Sequence, residues 1–318
     1  MVIGKIKTFF KLLVRNPKRL FVTFAKYEVF NWMSDKAFLR HAYEAETMRK
    51  LNLENPILFA EKLQWLKLHD RCDFYVDYVD KYKMREIIEE KYGKEYLIPL
   101  IGVYDSENSI PWDELPEQFV IKCSHGSGCN VICKDKKNLD IEKTKKQLHD
   151  WMNKNWYYYG REWPYKNIKP RIVIEKFVKD DSQKDDLTDY KFYCFEGVPT
   201  YCQVIGDRHD EKGESVYYID FYDRNWNKTE FTGFHAPGKP FPHRPYNVPK
   251  PKSYDDMVKI ANELSAGTHY VRVDFYEING EAKFGEFTLY PMSGFGEFFP
   301  EEWNERLGSF INIDRGVI

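Results

Sequence analysis

Arg272, Asp274, Glu286 and Thr288 lie among apolar neighbours in the stretch YVRVDFYEINGEAKFGEFTLYPMSG, residues 270–294. Carboxylates spaced along strands beside an arginine and a hydroxyl suit a hard divalent cation that holds a phosphate chain. Alternation puts Tyr270, Arg272, Asp274 and Tyr276 on one strand face, and Phe284, Glu286, Thr288 and Tyr290 on one face of a second strand. Asn279-Gly280 marks the turn between them. A strict two-residue turn pairs Asp274 with Gly285 and points the two carboxylates to opposite faces. A three-residue loop, Ile278-Asn279-Gly280 with Gly280 left-handed, pairs Asp274 with Phe284 and Arg272 with Glu286. The carboxylates are then diagonal neighbours about 7–8 Å apart on one face. A cation site therefore predicts a bulged turn near Gly280. A cross-strand Arg272–Glu286 salt bridge without metal accounts for the same residues.

Three upstream stretches carry charges inside apolar runs. In FVIKCSHGSGCNV, residues 119–131, Lys122 sits mid-strand and a glycine-rich turn follows. Such a turn offers backbone N–H groups to phosphate oxygens because glycine permits close approach. The GK[ST] ending and following helix of a P-loop are missing, and an ordinary hairpin with an edge lysine fits as well. In RIVIEKFV, residues 171–178, Glu175 and Lys176 end an apolar strand that can face a nucleobase, or simply form a surface charge pair. In DYKFYCF, residues 189–195, Asp189, Lys191 and Tyr193 share a face, where a lysine either snorkels or reaches an anion. His125 reads as a solvated loop histidine or a contact for phosphate. Arg208, His209, Trp226, His235 and Arg244 fall in the irregular region 206–250 and are either ligands for an anionic acceptor or ordinary loop residues. No Ser/His/Asp or Cys/His arrangement is present for nucleophilic catalysis.

These residues need a sizeable frame. The chain has 318 residues, 42% apolar and 17% aromatic, enough for two or three packed subdomains. A net charge of −2 gives no global basic field, which disfavours nucleic acid as a partner. The six cysteines contain no CxxC, and Cys123, Cys133, Cys194 and Cys202 lie in apolar runs, which fits buried thiols in a reducing cytosol better than zinc or disulfides. No apolar run reaches the roughly 18 residues of a membrane span. Residues 1–26 carry seven Lys or Arg and no acid, interleaved with Ile, Leu and Phe. This pattern predicts a basic amphipathic helix, divided at Pro17, that rests on an anionic membrane face or on the protein's own surface. No small-residue cleavage site follows, so a signal peptide is not expected.

Periodicity predicts helices in residues 35–95: one from Asp35 as cap, then Leu58–Leu68 and Tyr78–Tyr92. Strands follow at Leu97–Val103, Phe119–Cys123, Val131–Lys134, Arg171–Val178, Tyr190–Phe195, Thr200–Ile205 and Tyr217–Tyr222. Helices are expected at Leu139–Asn155 and, capped by Ser253, at Tyr254–Leu264, with a proline-rich loop over His235–Pro251. Strands and helices do not alternate in a βαβ rhythm, so the expected class is α+β with mostly antiparallel sheets.

Taken in order, NLENPILFAEKLQWLKLHDR (52–71), DKYKMRE (80–86), FVIKCSHGSG (119–128), Arg161-Glu162 to Tyr165, RIVIEKF, DYKFYCFEG (189–197) and the 271–294 stretch resemble the ATP-grasp superfamily. More narrowly they resemble its TupA-like (teichuronopeptide-synthesis) family, over about Asp35 to Ile313. The resemblance implies an ATP-grasp fold, two α+β lobes holding ATP between antiparallel sheets. The expected division is a basic helix over 1–34, a helical region over 35–96, a small lobe over 97–185 and a large lobe over 186–318. It implies that Lys122 and Arg85 contact phosphates and that Ser124, His125, Gly126, Ser127 and Gly128 close over the nucleotide. Glu175, Lys176 and Val178 would form the adenine hinge, with Asp181 toward the ribose and Lys191 beneath the nucleotide. Asp274, Glu286 and Thr288 would hold Mg2+, with Arg272 steadying the transferred phosphoryl group. Thr288 stands where the superfamily usually has asparagine, which weakens the case for a second metal.

The implied activity is ATP-dependent joining of a carboxylate and an amine or amino acid through an acyl phosphate. The carboxylate would belong to a sugar or uronic acid-containing surface polysaccharide, and the enzyme would work in the cytoplasm or at the inner membrane face. A phosphotransferase, a glycosyltransferase and a degenerate scaffold are the alternatives. The doublets Asp185-Asp186 and Asp255-Asp256 make poor DxD motifs, and intact Lys122, Asp274 and Glu286 speak against the scaffold.

Overall fold

Caps and breaks set the helices of the computed structural model, which describes residues 17–180, 187–206, 217–238 and 240–315. Helix α1, Arg19–Ala25, packs on α2, Asp35–Thr47, through Phe21, whose ring lies 5.2 Å from Phe38 and also stacks on Phe30 of the connecting segment at 4.3 Å. Lys18 and Arg19 meet Glu44 and Glu46 at 2.5 and 3.5 Å, so this part of the basic segment docks on the protein itself. The cap of α2 is Ser34, whose hydroxyl accepts from Ala37 N; Asp35, the expected cap, is the first helical residue instead. Helix α3 spans Phe59–His69. The single helix expected over 78–92 is two, α4 (Phe74–Val79) and α5 (Lys81–Tyr92). Asp80 breaks the run with an extended backbone, and its carboxylate accepts from Tyr82 N at 2.9 Å to start α5.

A four-stranded sheet follows, with β1 Leu100–Tyr104, β2 Phe119–Cys123, β3 Asn130–Cys133 and β4 Ile172–Lys176 in the order β1-β4-β2-β3. Helix α6, Ile141–Met152, is capped by Asp140 and buries Leu148 against this sheet with Phe119, Ile121, Ile172 and Ile174. The short helix α7, Tyr157–Gly160, leads back toward β4. The larger sheet orders as β10-β9-β5-β6-β7, from β5 Asp189–Phe195, β6 Val198–Gly206, β7 Tyr218–Tyr222, β9 Tyr270–Ile278 and β10 Glu281–Thr288. Helix α8, Tyr254–Ser265, packs on its face through Met257, Ile260 and Leu264. Ser253 precedes α8 but gives no cap bond; it meets Glu277 instead. A third, two-stranded sheet pairs β8, Thr232–His235, with β11, Glu297–Phe299, before α9, Glu302–Gly308. Residues 232–235 had no strand signal of their own, because β8 is four residues long and its partner is distant in sequence.

Every strand pairing among the described residues is antiparallel, so the architecture is the expected α+β. One apolar core runs from the N-terminal helices through the large sheet, while the small sheet has its own. All six cysteines are buried. Among the described residues, no helix is long and apolar enough to cross a membrane.

Candidate active site

The β9–β10 hairpin turns on two residues, Asn279 and Gly280, both left-handed with φ of 54° and 82°. Ile278 faces Glu281, and the ladder is regular as far as Phe275 opposite Phe284. It then slips by one residue at Gly285, so Asp274 faces Glu286 directly and Arg272 faces Thr288. The expected three-residue loop is thus corrected. Asn-Gly already satisfies a two-residue turn, and the bulge that realigns the carboxylates lies five residues further along. Phe284 is also corrected: it shares a face with Phe275, their rings 6.0 Å apart, and not with Glu286. A Cβ at Gly285 would come 3.1 Å from the Asp274 carbonyl oxygen, which explains glycine at the slip.

Arg272 grips Asp274 twice, Nε to Oδ1 and Nη2 to Oδ2 both at 2.7 Å, and donates to Thr288 Oγ1 at 3.2 Å. The Arg272–Glu286 bridge considered above is replaced by this pairing. On the neighbouring strand Lys191 stands in register with Asp274 and places Nζ 2.7 Å from Oδ2 and 3.3 Å from Asp189. Lys81, at the start of α5, reaches Glu286 Oε1 at 3.2 Å. Burial alone would raise the Asp274 carboxyl, but Arg272 and Lys191 outweigh it and hold the pKa below 3.8. Glu286 behaves alike: burial opposes ionisation, and Lys81 chiefly brings the pKa below 4.5. Both carboxylates are therefore anions near neutral pH, ready as oxygen ligands.

A second cluster centres on buried Glu175. The β2–β4 register sets Val120 opposite Glu175 and Lys122 opposite Val173, so Lys122 and Glu175 are diagonal on one face. Lys122 Nζ lies 2.6 Å from Glu175 Oε2, Arg85 pairs with Oε1, and Arg85 also donates to the Ile98 carbonyl at 2.7 Å. Lys81, Arg85, Lys122, Glu175, Gly285 and Glu286 line one pocket that joins the two clusters. Lys176 is exposed and its N–H donates to the Pro99 carbonyl at 2.9 Å, while Val178 is half-buried beyond the strand end. Asp181 lies outside the described residues. Lys81 was given no role by sequence reasoning; the available signal was its place directly after the helix-capping Asp80.

The glycine loop is anchored at its base. Ser124 is buried, its N–H donates to the Arg171 carbonyl at 2.9 Å, and Lys81 Nζ reaches the Gly126 carbonyl at 2.6 Å. His125 is buried too, with Nε2 3.1 Å from the Trp151 carbonyl oxygen, so the solvated-loop reading of this histidine is corrected. Burial lowers its pKa and keeps it neutral near pH 7. Gly126 is required by space, because a Cβ there would meet Trp156 Nε1 at 2.3 Å. Only Ser127 and Gly128 form an exposed tip.

Beyond the hairpin opens a wide cleft, about 1850 Å³ of space counted with its mouth, lined by Ser127, Glu162, Lys191, Arg272, Glu286 and Thr288 among others. Of the loop residues weighed as acceptor ligands, only His235 reaches this cleft among the described residues. Its two nitrogens are engaged with Ala236 O and Phe241 N, and its ring stacks on Phe299. Arg244 is buried and bonds Asp220 and the carbonyls of Val204 and Gly206, a structural post. Trp226 stacks on Tyr222 at 4.6 Å in the core. Arg208 and His209 lie outside the described residues. Glu162, Tyr165, Gln203, Tyr290 and Ser293 line the cleft and were not identified as site residues from sequence.

A helical N-terminal region, antiparallel sheets and this two-chambered site are the fold of the ATP-grasp proteins. The family model TupA-like ATPgrasp matches residues 61–312, and the chain belongs to that family. Comparison with curated proteins gave no match. Among solved structures, the chain is similar to a D-alanine–D-alanine ligase from Bacillus anthracis complexed with ATP (14% identity, 67% of this chain and 55% of that one, TM-score 0.39). It is also similar to the ATP-grasp ligase PsnB complexed with minimal precursor, Mg and ADP (11%, 72% and 57%, 0.37). A phosphoribosylamine–glycine ligase from Thermotoga maritima is a third (11%, 71% and 52%, 0.42). The chain covers little more than half the length of each of these three proteins.

Proposed function

We propose that this chain is an ATP-dependent ligase that joins a carboxylate to an amine through an acyl phosphate. The carboxylate belongs to a sugar or uronic acid-containing cell-surface polysaccharide or its precursor, and the amine to an amino acid or simple amine. The observation that carries the reading is Glu286, which borders both the pocket of Lys122, Arg85 and Glu175 and the cleft that holds Lys191, Arg272 and Thr288. A nucleotide in the first space would end its phosphate chain where the second begins. Glu175, with backbone groups of Lys176 and Val178, would face the adenine. Lys122, Arg85, Lys81 and the 124–128 loop would face the phosphates.

Asp274, Glu286 and Thr288 fit a magnesium ion, being oxygen donors with both carboxylates ionised. No third His, Cys, Asp or Glu joins them among the described residues, so phosphate oxygens and water would complete the shell. Bound there, the ion would offset charge on the phosphate chain. The chain's own residues do the rest. Arg272 and Lys191 balance charge as the substrate carboxylate oxygen attacks the γ-phosphorus and ADP leaves. The amine then attacks the acyl carbon and phosphate leaves, with no protein nucleophile.

The test mixes protein, ATP and magnesium with a panel of uronic acids and amino acids, and follows ADP, phosphate and product mass. ADP with phosphate and an amide is the expected outcome. A phosphorylated sugar without free phosphate would make it a phosphotransferase, and sugar transfer without ATP consumption would overturn the reading.

The site of action proposed is the cytoplasm, at the inner membrane face, with the segment 1–26 touching anionic lipid through basic side chains other than Lys18 and Arg19, which pair with Glu44 and Glu46. Tyr27 and Trp32, 76% and 81% exposed, extend that segment with interfacial aromatic rings. Phosphatidylglycerol vesicles are expected to sediment more protein than phosphatidylcholine vesicles. Salt should release it, since each basic residue near the surface adds only about 1 kcal/mol. Equal sedimentation on both lipids would exclude the contact.

A further inference from the structure

Glu162 is the one acidic side chain in the cleft that the ligase reading leaves without a task and that carries no ion pair within 4 Å among the described residues. Its surroundings are built to hold it. Ser293 Oγ donates to Glu162 Oε1. The Ser293 carbonyl is fixed in turn by Lys67 Nζ at 2.7 Å and Gln64 Nε2 at 3.1 Å, and Lys67 also reaches the Gly160 carbonyl at 2.7 Å. Lys67 is 0% exposed, with Nζ 4.8 Å from the Phe295 ring centroid. A buried ammonium thus pins both backbone segments beside the carboxylate without pairing with it. Arg161, Met292 and Ser293, the residues around it, all adopt left-handed backbone at φ of 54°, 51° and 51°. Strain of this kind in non-glycine residues persists where surrounding structure enforces it, and it clusters at working sites.

The ligase reading, on which this inference rests, brings an amine into the cleft as an ammonium ion. That ion cannot attack until it loses a proton. We propose that Glu162 is the general base that takes this proton. The Glu162 carboxylate removes H+ from R–NH3+, and the freed nitrogen lone pair attacks the acyl phosphate carbon. The C–O bond to phosphate then breaks, the phosphate leaves with that electron pair and takes the second nitrogen proton as HPO4 2−. Glu162 returns its own proton to water. Burial raises the Glu162 pKa, which makes the carboxylate a stronger base, while Lys67 and Ser293 restrain the rise. The other groups that bear on it are Glu286, which raises it, Lys81, which lowers it, and the Tyr165 hydroxyl, whose own pKa Glu162 raises.

Hydroxylamine is neutral at pH 7 and intercepts acyl phosphates without a base, so it separates the two half-reactions. The assay runs wild type and Glu162→Gln with ATP, magnesium and the uronic acid panel, adding either hydroxylamine or amino acids. For Glu162→Gln, amide formation is expected to fall about 10²–10³-fold while hydroxamate still accumulates. The residual amide rate should climb roughly tenfold per pH unit as the amine deprotonates unaided. Equal loss of hydroxamate and amide would reduce Glu162 to a structural post, and an unimpaired amide rate would remove it from the mechanism. Wild type that forms no hydroxamate would overturn the acyl phosphate itself.

Discussion

Asp274→Asn is expected to lower ATP turnover by about 10³-fold, a loss of the size seen when one preorganised charge partner is removed from a transfer site. Asn preserves the shape, so the effect isolates charge. Wild-type Asp274 accepts two bonds from Arg272 and one from Lys191, all at 2.7 Å. The variant leaves both cations facing a neutral amide in a buried site and removes one of two carboxylates able to hold magnesium. Lys191 keeps Asp189 at 3.3 Å, but Arg272 loses its carboxylate partner, and leaving a buried charge unpaired costs about 3–5 kcal/mol, so the unfolding midpoint should fall as well. The pH dependence gives a second signature. The folded pKa of Asp274 lies below 3.8, so its stabilisation is present above that value and lost as pH falls through the folded pKa. The variant should lack that acid limb. Wild-type ADP release by Asp274→Asn would remove the metal assignment.

Lys67→Met should destabilise the fold by about 1–3 kcal/mol at pH 7, because the Gly160 carbonyl loses its ammonium donor in a dry setting. Burial lowers the Lys67 pKa from 10.5 to about 8. Below pH 8 the residue is charged in both states. Between pH 8 and 10.5 the unfolded chain holds more protons than the folded one, so wild-type stability rises with pH across that window. Lys67→Met should flatten this rise, which chemical denaturation at a series of pH values would detect. A variant with an unchanged slope would show that Lys67 does not titrate there. The same substitution loosens Ser293, so amide formation should drop along with stability.

The hairpin strands, the Asn279-Gly280 turn and the mid-strand charges at Lys122 and Lys191 were legible because period-2 alternation and turn chemistry are local. The position of the bulge was not legible, since a glycine at 285 becomes a slip only when the partner backbone at Asp274 is already in place. His125 looked solvated because a loop histidine between small residues carries no burial signal; the Trp151 carbonyl, which meets its ring, and Trp156, which covers the adjacent Gly126, come some thirty residues later. Arg244 stayed open between acceptor ligand and ordinary loop residue because its partner Asp220 sits inside a strand that reads as ordinary sheet. Glu162 and Lys67 were invisible as a unit: ninety-five residues separate them, and Ser293 couples them from the far side of the chain.

The slip at Gly285 leaves the hairpin with one residue of slack. Between Gly280 and Glu286 the strand holds one more residue than a regular ladder needs. Loss of Gly285 itself can be absorbed by closing the bulge: residues 281–284 keep their partners and Glu286 would still face Asp274. Gain of one has no such outlet: it must open a second bulge or turn Glu286 away. The hairpin is therefore forgiving of shortening at the slip and intolerant of lengthening.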